Sequence, residues 1–182
     1  MKKVIIGVLA IVVIAVGTVL VFNAIKGGTD DKGSSNKTQE SDSNKKNMKK
    51  VNVSLTYMGT DITPGKTFKE KSISKKASKS TLPSCAFEGN DNVYTYDNIE
   101  ITANVSGKTE TIYSVYFIDE TAETSEGIKI GDTKKKLIEV YGDNYIDDIS
   151  VITYVDETGK RQINFEIEND EITGIEYVLV IE

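Results

Sequence analysis

The sequence predicts an α+β domain over residues 51–182. It is expected to be two tandem repeats, each a helix followed by an antiparallel three-stranded meander, making two layers with one open sheet face. Three observations carry this expectation. A signature I-x-x-G-x-T stands at Ile62–Thr67 and again at Ile128–Thr133, and a second, I-x-x-[V/I]-x-[F/Y], at Ile112–Phe117 and Ile172–Tyr177. Two signatures recurring in the same order point to an internal duplication, repeat one over about 51–119 and repeat two over about 126–182. Alternating apolar stretches separated by short Asn, Asp and Gly turns read as hairpins. Leu137, Val140 and Tyr141 fall at i, i+3 and i+4, the stripe of an amphipathic helix.

In chain order, Met1-Lys2-Lys3 leads into Val4–Phe22, 19 residues without a charge. As a helix rising ~1.5 Å per residue this stretch spans close to the ~30 Å hydrocarbon core of a bilayer. It is longer than the ~7–15 apolar residues of a cleaved signal peptide. Phe22 is a poor fit to the first small position of a cleavage site, and no Cys follows for lipidation. Residues 1–22 therefore read as an uncleaved transmembrane signal anchor. Lys2 and Lys3 before it and Lys26, Lys32 and Lys37 after it leave the positive-inside count undecided. The short leading tail and large following domain favour a single-pass cell-membrane protein with its C-terminal domain extracytoplasmic. Residues 23–50 hold only Ala24, Ile25 and Met48 as apolar groups and read as a disordered linker, unable to offset chain entropy. As a flexible coil this linker reaches ~30 Å.

Val51, Val53, Leu55 and Tyr57 alternate along a first strand. A helix over about Lys66–Ser80 is expected from the repeat, with Phe68, Ile73 and Ala77 as its apolar residues. Strands follow at 93–96, 99–105 and 111–118. In the second half Asp132 or Thr133 caps a helix that runs through Tyr141 and stops at Gly142. Strands at 149–155, 162–168 and 172–181 complete the expected domain.

Charge divides the chain. Residues 1–50 carry nine basic and four acidic groups, and residues 51–182 carry 13 and 24, so the net charge of −6 is a sum of opposites. Lys45, Lys46, Lys49 and Lys50 close the linker, and Lys66, Lys69, Lys71, Lys75, Lys76 and Lys79 follow. This basic stem is either an ordinary solvated segment or a contact for anionic lipid heads or anionic wall polymer. No nucleic-acid partner is expected.

The residues Pro83-Ser-Cys-Ala-Phe-Glu-Gly89, Tyr94-Thr-Tyr96, Ile99-Glu-Ile101, Glu126-Gly-Ile-Lys-Ile-Gly-Asp132 and Val140-Tyr-Gly142 resemble a family of uncharacterised secreted proteins and lipoproteins of Gram-positive anaerobes. The resemblance covers nearly all of residues 51–182. That family often has Phe where Ile99 stands and a Thr-Tyr pair where Ala103-Asn104 stand, and its lipid-bearing Cys is replaced here by the anchor. The doubled helix-plus-meander plan is similar to beta-lactamase-inhibitor proteins and small outer-membrane assembly lipoproteins. That similarity implies non-catalytic binding of other proteins through the sheet.

Composition excludes several chemistries. With no His there is no Ser-His-Asp triad and no imidazole shuttle, and a single Cys allows no internal disulfide. Ser72-Ile-Ser-Lys75 fits S-x-x-K, but the S-D-N and K-T-G partners of acyl-transferring enzymes are missing. Cys85 reads as a buried, inert thiol. Asp143, Asp147 and Asp148 cluster beside Asn144 without calcium-loop spacing, so no metal and no cofactor is assigned. Strand alternation places Ile99, Ile101, Ala103, Val105, Val115, Phe117, Ile163, Phe165, Ile167, Ile175 and Tyr177 inward. The outward set is Glu100, Thr102, Asn104, Ser114, Tyr116, Asn164, Glu166, Glu168, Glu176 and Val178. Leaving Ser114 and Val178 aside, these residues form the expected interaction face, suited to a basic partner with Tyr116 as anchor. The expected function is a membrane-anchored binding module without catalytic activity. The rivals are a hydrolase using two carboxylates ~5–9.5 Å apart and a sensor of small ligands or ions.

Overall fold

The computed structural model describes residues 51–181, and the anchor at Val4–Phe22 and linker at 23–50 lie outside them. Among the described residues no helix is long and apolar enough to cross a membrane. A hairpin of β1 (Leu55–Tyr57) and β2 (Thr60–Ile62) turns through Met58 and Gly59, both at positive φ. The main sheet contains β3 (Ser78–Pro83), β4 (Asn90–Thr95), β5 (Ile99–Ser106), β6 (Thr109–Phe117), β7 (Ile146–Asp148), β8 (Val151–Val155), β9 (Arg161–Glu168) and β10 (Glu171–Leu179). Its order is β3-β4-β5-β6-β10-β9-β8-β7, antiparallel throughout.

The α+β expectation is thereby corrected. Residues 51–181 are mostly β, with 47% of the described residues in strands and 8% helical, and the one helix of seven or more residues among them is α1 (Lys134–Tyr141). The helix expected at Lys66–Ser80 is instead an extended segment with a single 3-10 turn at Glu70–Ser72. Spacing explains this. At about 100° per residue, Phe68, Ile73 and Ala77 would scatter over some 180° of a helix surface. Laid out with one tight turn, the same segment buries all three. Each meander also has four strands rather than three. The additional strands are the sheet edges β3 and β7, every residue of which is exposed, so neither carries the apolar alternation that marks a strand. Lys79 and Pro83 on β3, and the brevity of β7, suit unpaired edges.

The two signatures found in the sequence touch each other in each half. Gly65 N–H donates to the Ile112 carbonyl (2.7 Å), Ile112 N–H to Lys66 (2.9 Å) and Phe68 N–H to Glu110 (2.7 Å). The second half repeats the set: Gly131 to Ile172 (2.8 Å), Ile172 to Asp132 (2.9 Å) and Lys134 to Asp170 (2.9 Å). Beyond this clip the halves part. Thr133 accepts from Lys136 N–H at 3.2 Å and starts α1, and Gly142, at φ 92°, ends it. Thr67 starts no helix.

The covered face holds a continuous apolar cluster. Phe68 packs on Tyr94 (4.8 Å between ring centres), Tyr57 on Tyr96 (5.6 Å), and Tyr141 on Tyr154 (5.1 Å) and Phe165 (5.3 Å). Ile62, Ile128 and Leu137 are also fully buried against the inward strand residues. A ring of this kind stabilises by ~1.5–3 kcal/mol through burial.

Three substitutions are informative in denaturant unfolding. Thr133→Ala should cost about 1 kcal/mol through loss of the cap, while Thr67→Ala, in the same signature position, should change stability little. Ile149, in the β7–β8 turn, holds φ 49° with its side chain fully exposed. Ile149→Asn should raise stability by about 1 kcal/mol, because a β-branched residue is strained there. A fall in midpoint would contradict the strain.

Candidate functional site

The strand register sets the open face. Glu100 pairs with Tyr116, Tyr116 with Glu176 and Glu176 with Asn164, so four expected residues form one row across β5, β6, β10 and β9. In the adjacent row Thr102 faces Ser114, which faces Val178. Glu166 stands opposite Gly174 on β9 and β10. The remaining expected residues fall outside this group. Asn104 donates its side-chain amide to Asp91 (2.9 Å), and Glu168 is exposed at the strand end beside the Asn169-Asp170 turn.

A β-bulge recurs in both halves and shapes the site. Thr102 pairs with Ser114 but Ala103 with Ile112, so Tyr113 is skipped; likewise Glu166 pairs with Gly174 but Ile167 with Ile172, skipping Thr173. In a regular strand residues three apart face opposite sides. The bulge lets Ile112 and Val115, and again Ile172 and Ile175, all point inward, each at 2% exposure or less. Strict alternation from Val115 would place Tyr113 inward. The bulge turns it to the open face, where Phe87 from the β3–β4 loop meets it edge-on at 5.3 Å. Gly174 was also missed. A Cβ there would lie 2.5 Å from the Glu166 carboxylate, so the missing side chain makes the space in which Glu166 lies against the strand.

At the centre of this surface the Glu176 carboxyl is pushed above its ordinary value. Burial is the main cause; hydrogen bonds from Asn164 and Ser114 oppose it and the charge of Glu166 adds to it. Asn164 is oriented by its neighbours, its carbonyl oxygen accepting from Thr153 (3.0 Å) and Gln162 (3.1 Å). The Tyr116 phenol is raised by burial and then by Glu166 and Glu176; that of Tyr113 by burial and then by Glu176 and Asp91. Tyr116 remains 38% exposed.

Other candidates are not assembled. Cys85, expected to be buried, is exposed: the Ser84 hydroxyl accepts from Ala86 and Phe87 N–H and turns Phe87, not Cys85, toward the sheet. Ser72 donates to the Lys69 carbonyl, while Lys75 pairs with Asp97, so S-x-x-K forms no nucleophile–base pair. Among the described residues no group of three or more acidic or thiol side chains is arranged to hold a metal, and Asp147 pairs with Lys134 (3.2 Å). A groove of about 300 Å³ lies between Val51, Thr63, Asp156 and Arg161. Asp156 there is engaged by turn N–H groups and by Arg161 (3.1 Å). No family model matches the chain, and neither a curated protein nor a solved structure does.

The raised Glu176 pKa has a signed consequence. A carboxyl that binds its proton more tightly when folded favours the fold most below its unfolded pKa, near 4.5, and loses that contribution as pH rises through the folded value. Glu176→Gln, which keeps an acceptor for Ser114 and Asn164, should therefore gain stability relative to the parent between about pH 4.5 and 7. Thermal melts across that range check it. A difference independent of pH would show that Glu176 ionises freely in the folded state.

Proposed function

We propose that the chain is a membrane-anchored extracytoplasmic protein whose folded domain binds a protein partner on the open sheet face and performs no catalysis. The observation that carries this reading is the two-sidedness of the sheet. Apart from Phe87, which packs on Tyr113, the apolar side chains contributed from outside the sheet, Val53, Leu55, Ile62, Phe68, Ile73, Ile128 and Leu137 among them, belong to the cluster on one face. The other face keeps Tyr116 partly exposed at its middle, with Glu100, Glu166 and Glu176 around it. An exposed aromatic amid polar groups has the composition of an interface anchor. Glu166 and Glu176, the carboxylates nearest to a hydrolytic pair, stand side by side on adjacent strands rather than across a cleft, which favours docking over carboxylate hydrolysis. The anchor at Val4–Phe22 and the Lys45–Lys50 stem, held at the membrane with anionic lipid or wall polymer, would present this face to the envelope.

The test is site-specific cross-linking in cells of the source organism, with a photoreactive residue replacing Tyr116 in the full-length chain. A discrete cross-linked protein is expected from position 116, and none from a control at Lys129, which is exposed and lies off the sheet. Equal labelling at the two positions, or none at Tyr116, would overturn the reading.

A further inference from the structure

We infer that the patch formed by Tyr113, Tyr116, Glu166 and Glu176 takes an arginine side chain of the protein partner, an assignment that rests on the docking role proposed for this face. The first element is charge. Glu166 and Glu176 lie on neighbouring strands, and the charge of Glu166 reaches Glu176. Among the described residues, their direct partners in the ladder are Tyr116, Asn164, Gly174 and Val151, and the next row holds Gln162, Val178, Ser114 and Thr102, with no Lys or Arg in either set. Lys75, Lys79, Lys134, Lys135, Lys136 and Arg161 form ion pairs with other carboxylates, and no ion pair among the described residues reaches Glu166 or Glu176. The carboxylates therefore meet no counter-charge of the domain's own on this face.

The second element is shape. Two phenol rings stand beside the carboxylates, Tyr116 directly opposite Glu176 in the ladder and Tyr113 turned to the same face by the bulge and steadied by Phe87. Gly174 keeps the Glu166 carboxylate low against the strand. A planar guanidinium satisfies such a site in two ways at once. It presents a fork of N–H donors to two carboxylates, and it stacks its face on an aromatic ring. An ammonium is a more strongly hydrated point charge and gains less in a partly buried setting. Asn164, opposite Glu176 in the ladder, and Ser114 favour its charged form against burial, so a guanidinium would add to a polar setting already present.

The experiment uses full-length protein, isotope-labelled at tyrosine and glycine, in zwitterionic micelles. Three capped tripeptides are titrated: Gly-Arg-Gly, Gly-Lys-Gly and the uncharged isostere Gly-citrulline-Gly. The arginine peptide is expected to shift the Tyr113, Tyr116 and Gly174 signals, to bind more tightly than the lysine peptide, and to be matched by no citrulline response. Glu176→Gln should weaken it about tenfold, the loss of one charged hydrogen bond. Gly174→Ala keeps every charge but displaces Glu166, and should weaken it as well; folding of each variant is verified from its remaining glycine signals. Equal response to arginine and citrulline, shifts centred elsewhere, or affinity unchanged in both variants would overturn the assignment. A cross-link through Tyr116 without arginine preference overturns the arginine assignment alone, whereas no cross-link there overturns the docking role beneath it.

Discussion

Three residue pairs, Ser114 with Val178, Val115 with Tyr177 and Tyr116 with Glu176, join the two halves of the sheet. Everything else in the main sheet hangs from this β6–β10 seam. Without it each half is a four-stranded meander with one more open edge, a row of unpaired backbone groups. The seam is held from below by Val115, Phe117, Ile175 and Tyr177, all with no measurable exposure, and Phe117 stacks on Tyr177 at 5.9 Å between ring centres. The Tyr116–Glu176 pair is also the heart of the candidate site, so the contact that unites the sheet also aims these two side chains.

The seam is locally two-fold. Tyr116 and Glu176 fill the same place in the two copies of I-x-x-[V/I]-x-[F/Y], and they pair with each other; Val115 then meets Tyr177 as the symmetry requires. The backbone clip from each G-x-T segment and the bulge after each leading Ile recur with it. What does not recur is the cover. The second half spends eight residues on α1, which brings Leu137 and Tyr141 down onto the sheet. The first half reaches the same end with Phe68 and Ile73 on an extended segment. Backbone pairing and inward apolar positions are what the meander demands, and either kind of cover can fill the space above it.

Much of this was written in the sequence, and the failures have physical causes. The inner strands were legible because half of each is buried, which imposes alternation. The edges β3 and β7 were not, because exposed edge residues answer to solvent and carry no period. The first helix rests on analogy with the second, although Phe68 falls 140–180° away from the face that Ile73 and Ala77 would share, by the ~100° per residue of a helix. The bulge was present in plain view: an apolar residue at both ends of I-x-x-V cannot be inward on a regular strand, and that conflict is the signal that Tyr113 turns outward. Gly174 gave no sign, since the space it leaves has meaning only once Glu166 is known to lie opposite.

The contrast between the two faces bears on function. Inward, the duplicated positions carry like residues: Ile112 and Ile172, Val115 and Ile175, Phe117 and Tyr177. Core packing penalises changes of volume at such places by ~1–3 kcal/mol or more, so the copies are held close. Outward, the same strands carry Tyr113 against Thr173, Ser114 against Gly174 and Tyr116 against Glu176. No packing demand makes those pairs alike, and none makes them differ in a concerted way. Yet the differences converge on one spot, with the rings supplied by β6 and the carboxylates and the gap at Gly174 supplied by β9 and β10. A two-fold sheet would offer two equivalent sites or a symmetric one at its axis. This sheet offers one lopsided site across the axis, aromatic on one side and acidic on the other, and that asymmetry is what the proposed docking of a single arginine side chain would use.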